Sequence, residues 1–277
     1  MSDGLLEGLG ERPWLILGGG GVKGMAHVGV WRKLREQGHR FEGIVGCSIG
    51  ALVGACIASG LNVSDMYRIA KDLERTDIIR INRRAVWVNG IRAPSVFRGD
   101  TLREYLAAIL PNGSWDNLQC PLQVNAMDLS TGEMEWFGTG ARTDVSLLDA
   151  VYASSALPVF YPPAALNGEM YVDGGVGQAL PLDRAEHVKA TGVLAVDCGS
   201  GAEADAAAVV EEGMIAVHQR IMSIMIRRRR RELIARWEAL PRILIRPQLD
   251  GFGTFDFDSV PYFLEEGYRA AGEALAE

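Results

Sequence analysis

The chain is predicted to fold as a single α/β domain of three layers, a mainly parallel central sheet covered by helices on both faces. Short apolar runs alternate with helix-patterned runs along most of its length, the pattern of parallel strands buried on both sides by crossover helices. Glycines cluster where two early apolar runs give way to helical ones, at Gly18-Gly19-Gly20-Gly21 and at Gly46. The 277 residues are 48% hydrophobic and 23% charged, a globular balance in a chain long enough to bury about three quarters of its unfolded surface. No linker rich in Pro, Gly or Ser and no internal repeat divides residues 1–277, with core motifs in 14–201 and a C-terminal helical region in 206–277.

Each element has its own signal. Trp14-Leu15-Ile16-Leu17 is an unbroken apolar run before glycines, so 14–17 is a strand, and the helical run 25–37 stops at Gly38-His39, where an imidazole suits the dipole. A strand at 43–46 precedes a helix at 49–59, and another helix begins near Ser64. Asp100 is a cap candidate for a helix at 101–110, and the turn Ser130-Thr131-Gly132 joins strands 122–128 and 133–137. A helix at 146–155 is stopped by Pro158. There follow a strand at 170–172, a helix at 182–190, a strand at 193–197, a long helical run at 206–240 that either continues or breaks, a strand at 243–245 and a helix at 260–276.

Three motifs fall at these junctions. Gly46-Cys47-Ser48-Ile49-Gly50 ends the second strand and opens a helix. Small flanking residues there allow the sharp turn that exposes a nucleophilic serine; the alternative is a tight βα turn with Ser48 as helix cap. Gly18-Gly19-Gly20-Gly21-Val22-Lys23-Gly24 precedes a helix, where unpaired N–H groups and the helix dipole suit a phosphate or an oxyanion. A dinucleotide site also needs an acid at the end of the second strand, but Glu42 precedes that strand and Ser48 holds its crest. A phosphate loop needs Ser or Thr after its lysine, and Lys23 is followed by Gly24. The third motif, Tyr171-Val172-Asp173-Gly174-Gly175, ends a short strand in what is usually only a turn.

With Ala153-Ser154-Ser155-Ala156-Leu157-Pro158 between the second and third, these motifs stand in an order that resembles the patatin-like phospholipases, in particular compact bacterial members related to the esterase domain of neuropathy target esterase. The resemblance implies a patatin-like fold and a phospholipase, lysophospholipase or esterase acting on lipid. It implies a Ser-Asp dyad, with Ser48 attacking the acyl carbonyl and Asp173 polarising its hydroxyl. The glycine loop of that family supplies an oxyanion hole, which carries over to the backbone N–H groups of Gly19, Gly20 and Gly21, with that of Ile49 after the nucleophile. Gly24, Gly46, Gly50, Gly174 and Gly175 are its motif glycines. Asp-Gly-Gly replaces the Asp-Gly-Ala of many relatives. A catalytically weak patatin fold kept for lipid binding or regulation is the alternative.

A Ser-His-Asp triad needs a histidine after the acid. Only His187 and His218 follow Asp173, both in helical runs and not in loops, while His27 reads as helix packing. With an ordinary aspartate near pKa 3.9 as base, kcat/KM should stay flat through the histidine range.

Cys47, Cys56, Cys120 and Cys198 lack metal-ligand spacing and read as reduced thiols of a cytoplasmic protein. No metal or other cofactor is expected. Residues 1–12 carry acids and no apolar core, so no signal peptide is expected, and no apolar run reaches the ~18 residues of a membrane span. A net charge of −7 disfavours nucleic acid as partner; the oligomeric state is left open. Residues 78–97, with Arg80, Arg83, Arg84, Trp87, Val88, Ile91, Arg92 and Phe97, read either as a mobile lid or as a surface loop. Arg227-Arg228-Arg229-Arg230-Arg231 follows the apolar run 221–226. It reads either as a solvated turn or as peripheral contact with anionic lipid at the inner face of the membrane.

Overall fold

A computed structural model describes residues 8–110, 114–199 and 204–276. Residues 1–7, part of the segment expected to lack a leader, and residues 200 and 201, the end of the motif-bearing core, lie outside the described set. One eight-stranded sheet organises the fold. Strands β1 (Pro13–Leu17), β2 (Gly43–Gly46), β3 (Leu122–Asp128), β7 (Gly192–Val196) and β8 (Arg242–Ile245) run parallel in the order β3-β2-β1-β7-β8. Antiparallel to their neighbours are β4 (Met134–Gly138) and β6 (Glu169–Asp173), both on β3, and β5 (Ala164–Leu166) on β6.

The helices are α1 (Ala26–Glu36), α2 (Ile49–Ala58), α3 (Val63–Lys71), α4 (Arg75–Ile78), α5 (Arg83–Asn89) and α6 (Gly99–Ile109), then α7 (Leu147–Ser155), α8 (Gly175–Gln178), α9 (Arg184–His187), α10 (Ala206–Glu211), α11 (Met214–Arg236) and α12 (Val260–Ala274). They cover both faces, as predicted. Leu15, Leu17, Leu194 and Val196 belong to one apolar core, under α1, α2, α6, α7 and α12. Their chain neighbours Trp14, Ile16, Val193 and Ala195 belong to the other, with Ala185 of α9, Ile234 of α11 and Trp237. Alternate side chains on a strand point to opposite faces. Here both faces are buried, which is why the strands read as unbroken apolar runs.

β4 occupies one edge of β3 from Gln123 to Met127, so β2 and β6 must share the other. β2 pairs there with Leu122, Gln123 and Val124, ending with Gly46 opposite Val124. β6 runs the opposite way along Asp128, Met127 and Ala126, ending with Asp173 opposite Ala126. The two strands therefore meet head to head, their ends two residues apart on β3, about 7 Å.

Several elements differ from expectation. The helix expected at 25–37 is preceded by a 3₁₀ turn, Gly21–Met25, made from the glycine loop itself. The helix expected at 182–190 is the single turn α9. The run 206–240 breaks at Gly213, whose φ of 95° costs glycine little. Residues 78–97 hold α5 and a 3₁₀ turn, Gly90–Arg92. Their base is pinned by the N–H groups of Val96 and Phe97 on the carbonyls of Val159 and Phe160, with Trp87 and Val88 exposed beyond it; the Ile91 side chain lies outside the described set. The arginine run is no turn. It lies within α11, where Arg228 pairs with Glu232 and Arg230 is buried 3.2 Å from Asp197. Among the described residues no helix is long and apolar enough to cross a membrane.

Candidate active site

The head-to-head strands deliver Ser48 and Asp173 to one point. Leaving β2, the chain turns at Ser48, with φ 54° and ψ −122°, a conformation that costs a residue bearing a Cβ about 1–3 kcal/mol. The turn is this tight because α2 starts directly over the sheet: a Cβ at Gly46 would lie 2.5 Å from the Gly50 carbonyl oxygen, and one at Gly50 would lie 2.2 Å from that of Leu17. The Ser48 N–H donates to the hydroxyl of Ser154 at 2.9 Å. The Ser48 side chain does not cap its helix. Its Oγ donates instead to Asp173 Oδ2 at 2.7 Å, with the carboxylate touching the hydroxyl directly.

Asp173 is held from three sides. Its own N–H donates to the Ala156 carbonyl at 3.0 Å, and its Oδ1 accepts from the Gly175 N–H at 2.7 Å. Gly174 packs against Asn125, the β3 residue lying between the two strand ends, and Asn125 Nδ2 donates to the Gln178 carbonyl at 3.1 Å. Burial pushes the Asp173 carboxyl up to about 6, while the Ser48 hydroxyl and the Gly175 amide pull it back. The adjacent Cys47 thiol is held protonated by burial and by the Asp173 charge.

The glycine loop lies alongside. A Cβ at Gly19 would be 3.5 Å from Ser48 Cβ, and Gly24 packs against the Ile49 side chain. The expectation for Gly19 as an oxyanion donor needs correction, because its N–H is taken by the Ala179 carbonyl at 2.7 Å. Among the described residues the N–H groups of Gly20, Gly21 and Ile49 donate to no backbone acceptor. The loop is braced from far downstream. Val22 N–H donates to the Thr254 carbonyl at 2.9 Å, and Lys23 Nζ donates to that of Phe252 at 3.2 Å. Gly21, at φ 63°, passes so close to Thr254 that a Cβ would sit 2.4 Å from its carbonyl oxygen.

His27 supports the loop from beneath and stays away from Ser48. Its Nε2 lies 2.7 Å from the Gly18 carbonyl, which only accepts, so Nε2 carries the proton and Nδ1 faces the Cys198 thiol at 3.5 Å. Burial drops its pKa to about 4. His187 sits on α9 near the Asp183 carbonyl. His218, also set aside in the sequence, faces the cleft that holds Ser48.

That cleft has a volume of about 210 Å³. One wall is apolar, with Leu52, Ile78, Leu102, Leu106, Phe160 and Phe255. The other is α11, through His218, Met222, Ser223, Ile226, Arg227 and Arg230. Sequence reasoning missed this wall, and it missed Ser154 and Asn125. The small-residue motif around Ser154 and a buried amide amid the apolar residues of β3 were their signals. Among the described residues no three His, Cys, Asp or Glu side chains are grouped as metal ligands would be.

The comparisons agree with this architecture. A family model described as patatin-like phospholipase matches residues 15–186. An uncharacterized NTE family protein of Mycobacterium tuberculosis is 33% identical over 203 residues, covering 73% of this chain and 53% of that protein. Patatin-like phospholipase domain-containing protein 7 of Rattus norvegicus is 31% identical over 197 residues, covering 69% of this chain and 14% of that protein. The chain thus spans about half the length of the mycobacterial relative and far less of the mammalian one. The crystal structure of VipD from Legionella pneumophila shares the fold at TM-score 0.59 and 17% identity, covering 96% of this chain and 67% of that one. With a family match over more than half of its residues, including the elbow, the glycine loop and the Asp-Gly-Gly turn, the chain belongs to the patatin-like phospholipase family.

Proposed function

We propose that the protein is a serine acyl-ester hydrolase of lipids, a carboxylic ester hydrolase of the phospholipase or lysophospholipase type. The direct 2.7 Å bond from Ser48 Oγ to Asp173 Oδ2, at the floor of a partly apolar cleft, carries this reading. Asp173 takes the hydroxyl proton as Ser48 Oγ attacks the acyl carbon, and the carbonyl oxygen becomes an oxyanion. The N–H groups of Gly20, Gly21 and Ile49 are its donors. Collapse breaks the ester bond, the proton on Asp173 passes to the leaving alkoxide, and the acyl group stays on Ser48. Asp173 then deprotonates a water that attacks the acyl carbon, releasing the fatty acid and restoring Ser48. The protein meets its substrate as a cytoplasmic, peripheral partner of an anionic membrane face. A fluorophosphonate probe should label Ser48, identified by peptide mass, and phospholipid should lose fatty acid in parallel; an unlabelled protein that still binds lipid would favour a regulatory patatin fold.

Burial of Asp173 changes the expected pH signature. A base near pKa 6 makes kcat/KM fall by one proton's slope below about pH 6, inside the range an imidazole would give. The histidines must therefore be removed to tell the two apart. In the double variant His187→Ala/His218→Ala the acid limb should remain and kcat should stay within about threefold, with any change from His218 appearing in KM because it faces the cleft. Loss of that limb would make a histidine the base.

Gly20→Ala and Gly21→Ala should lower kcat by roughly 10²–10³ with a smaller effect on KM, because oxyanion donors act chiefly in the transition state. The two differ in stability. Gly20, at φ 177°, lies outside the left-handed region, so alanine there must chiefly displace Cys198, whose carbonyl oxygen would be 2.8 Å from its Cβ. Alanine at Gly21 must adopt a positive φ against Thr254, which lowers Tm as well. An effect on KM alone would make the loop a substrate-binding element.

A further inference from the structure

α11 has two unlike sides. One walls the cleft over Ser48. The other is exposed yet rich in large apolar groups: Met214 is 75% exposed, Ile221 52%, Ile224 41% and Met225 60%. Positions 214, 221, 225 and 228 are separated by seven, four and three, so Met214, Ile221, Met225 and Arg228 form one stripe along the helix. Ile224 and Arg231, seven apart, lie on the adjoining row. The stripe is apolar in its first turns and ends in Arg228, ion-paired one turn on with Glu232, while Arg231 adds a cation on the adjoining row.

Single exposed apolar residues need no explanation, but a row of them ending in cations does. Four of the five consecutive arginines stay at least partly exposed, against a molecule whose net charge is −7. Arg227, Arg228 and Arg231 surround Ile224 in a shallow depression shared with Glu232. An apolar row bordered by guanidinium groups matches a layer in which acyl chains lie beneath phosphates. Because this helix also walls the cleft, a lipid leaving such a layer passes along it to reach Ser48.

We infer that the outer face of α11 is the surface on which the protein docks to an anionic lipid bilayer. Met214, Ile221, Ile224 and Met225 enter the headgroup boundary, and Arg228 and Arg231 meet the lipid phosphates. The inference rests on the lipid-hydrolase reading for the substrate's route, but its binding arm is independent of catalysis.

The test uses the full chain carrying Ser48→Ala, sedimented with vesicles of phosphatidylcholine alone or mixed with phosphatidylglycerol. Binding should require the anionic lipid and weaken as salt shortens the Debye length from about 10 Å toward 3 Å. Arg228→Gln with Arg231→Gln should lower the partition coefficient about tenfold, and Ile224→Glu with Met225→Glu should lower it at least as much, both with unchanged Tm. With Ser48 restored, the same variants should lose vesicle hydrolysis by similar factors while keeping hydrolysis of a soluble short-chain ester. No binding to anionic vesicles, or equal binding by variants and parent, overturns the inference. So does a dimer that Ile224→Glu dissolves, which would assign the face to a second copy. A parent that binds vesicles but hydrolyses no ester sinks the hydrolase reading and leaves the docking surface standing.

Discussion

Ser48→Ala should abolish hydrolysis of both chromogenic esters and lipids, by a factor of roughly 10⁴ or more, while the protein stays folded. Nothing else in the elbow can supply the nucleophile. The adjacent Cys47 is fully buried, with its thiol held protonated. Alanine keeps its Cβ at φ 54° and ψ −122° and so inherits the backbone strain, whereas Ser48→Gly should relieve it and raise Tm above that of the alanine variant. Initial rates and thermal melts of the two variants separate the chemical from the conformational effect. Retention of more than about a tenth of the activity in Ser48→Ala would remove Ser48 as nucleophile.

Asp173→Asn should be as damaging to activity and should stabilise the fold. The carboxyl is 3% exposed and its pKa lies near 6 in the folded chain, against about 3.9 unfolded. A carboxyl raised in this way favours the fold when protonated, and that contribution is lost as pH rises from about 4 through 6. The loss is about 3 kcal/mol. Asparagine is neutral throughout and fits the same contacts, with Oδ1 accepting from the Gly175 N–H and Nδ2 donating to Ser48 Oγ. Its advantage should be about 1–3 kcal/mol at pH 7.5 and vanish near pH 4. Comparing variant with parent at each pH cancels His27, which works in the other direction: its pKa of about 4 withdraws stability as pH falls below 6.5. An asparagine variant less stable than the parent at pH 7.5 would contradict the buried-charge account.

What the sequence disclosed was local chemistry. Gly46, Ser48, Gly50 and the Gly18–Gly24 cluster are demanded by backbone geometry within a few residues, so their meaning survives without the rest of the fold. The meeting of β2 and β6 depends on two strands sharing one edge of β3, and no local pattern encodes it. The pKa of Asp173 and the consumption of the Gly19 N–H by Ala179 are likewise consequences of packing. The arginine run misled because charge reads as solvent exposure, whereas Arg230 is buried against Asp197 and Arg227 faces the cleft. β5 was within reach. Asn167-Gly168, with φ 51° and 89°, is a two-residue hairpin signal that the strand assignment at 170–172 passed over.

The brace on the glycine loop also governs when the site can be complete. The loop that would hold the oxyanion ends at Gly24, but the carbonyls that fasten it belong to Phe252 and Thr254. α12, farther on, packs on α1 so closely that a Cβ at Gly29 would lie 1.9 Å from the Leu264 carbonyl oxygen. A ribosome-bound chain carrying Ser48 and Asp173 therefore still lacks its loop brace until residues beyond 250 have emerged from the exit tunnel. Under the proposed function, hydrolytic capacity arrives late in synthesis, only after the segment that braces the loop.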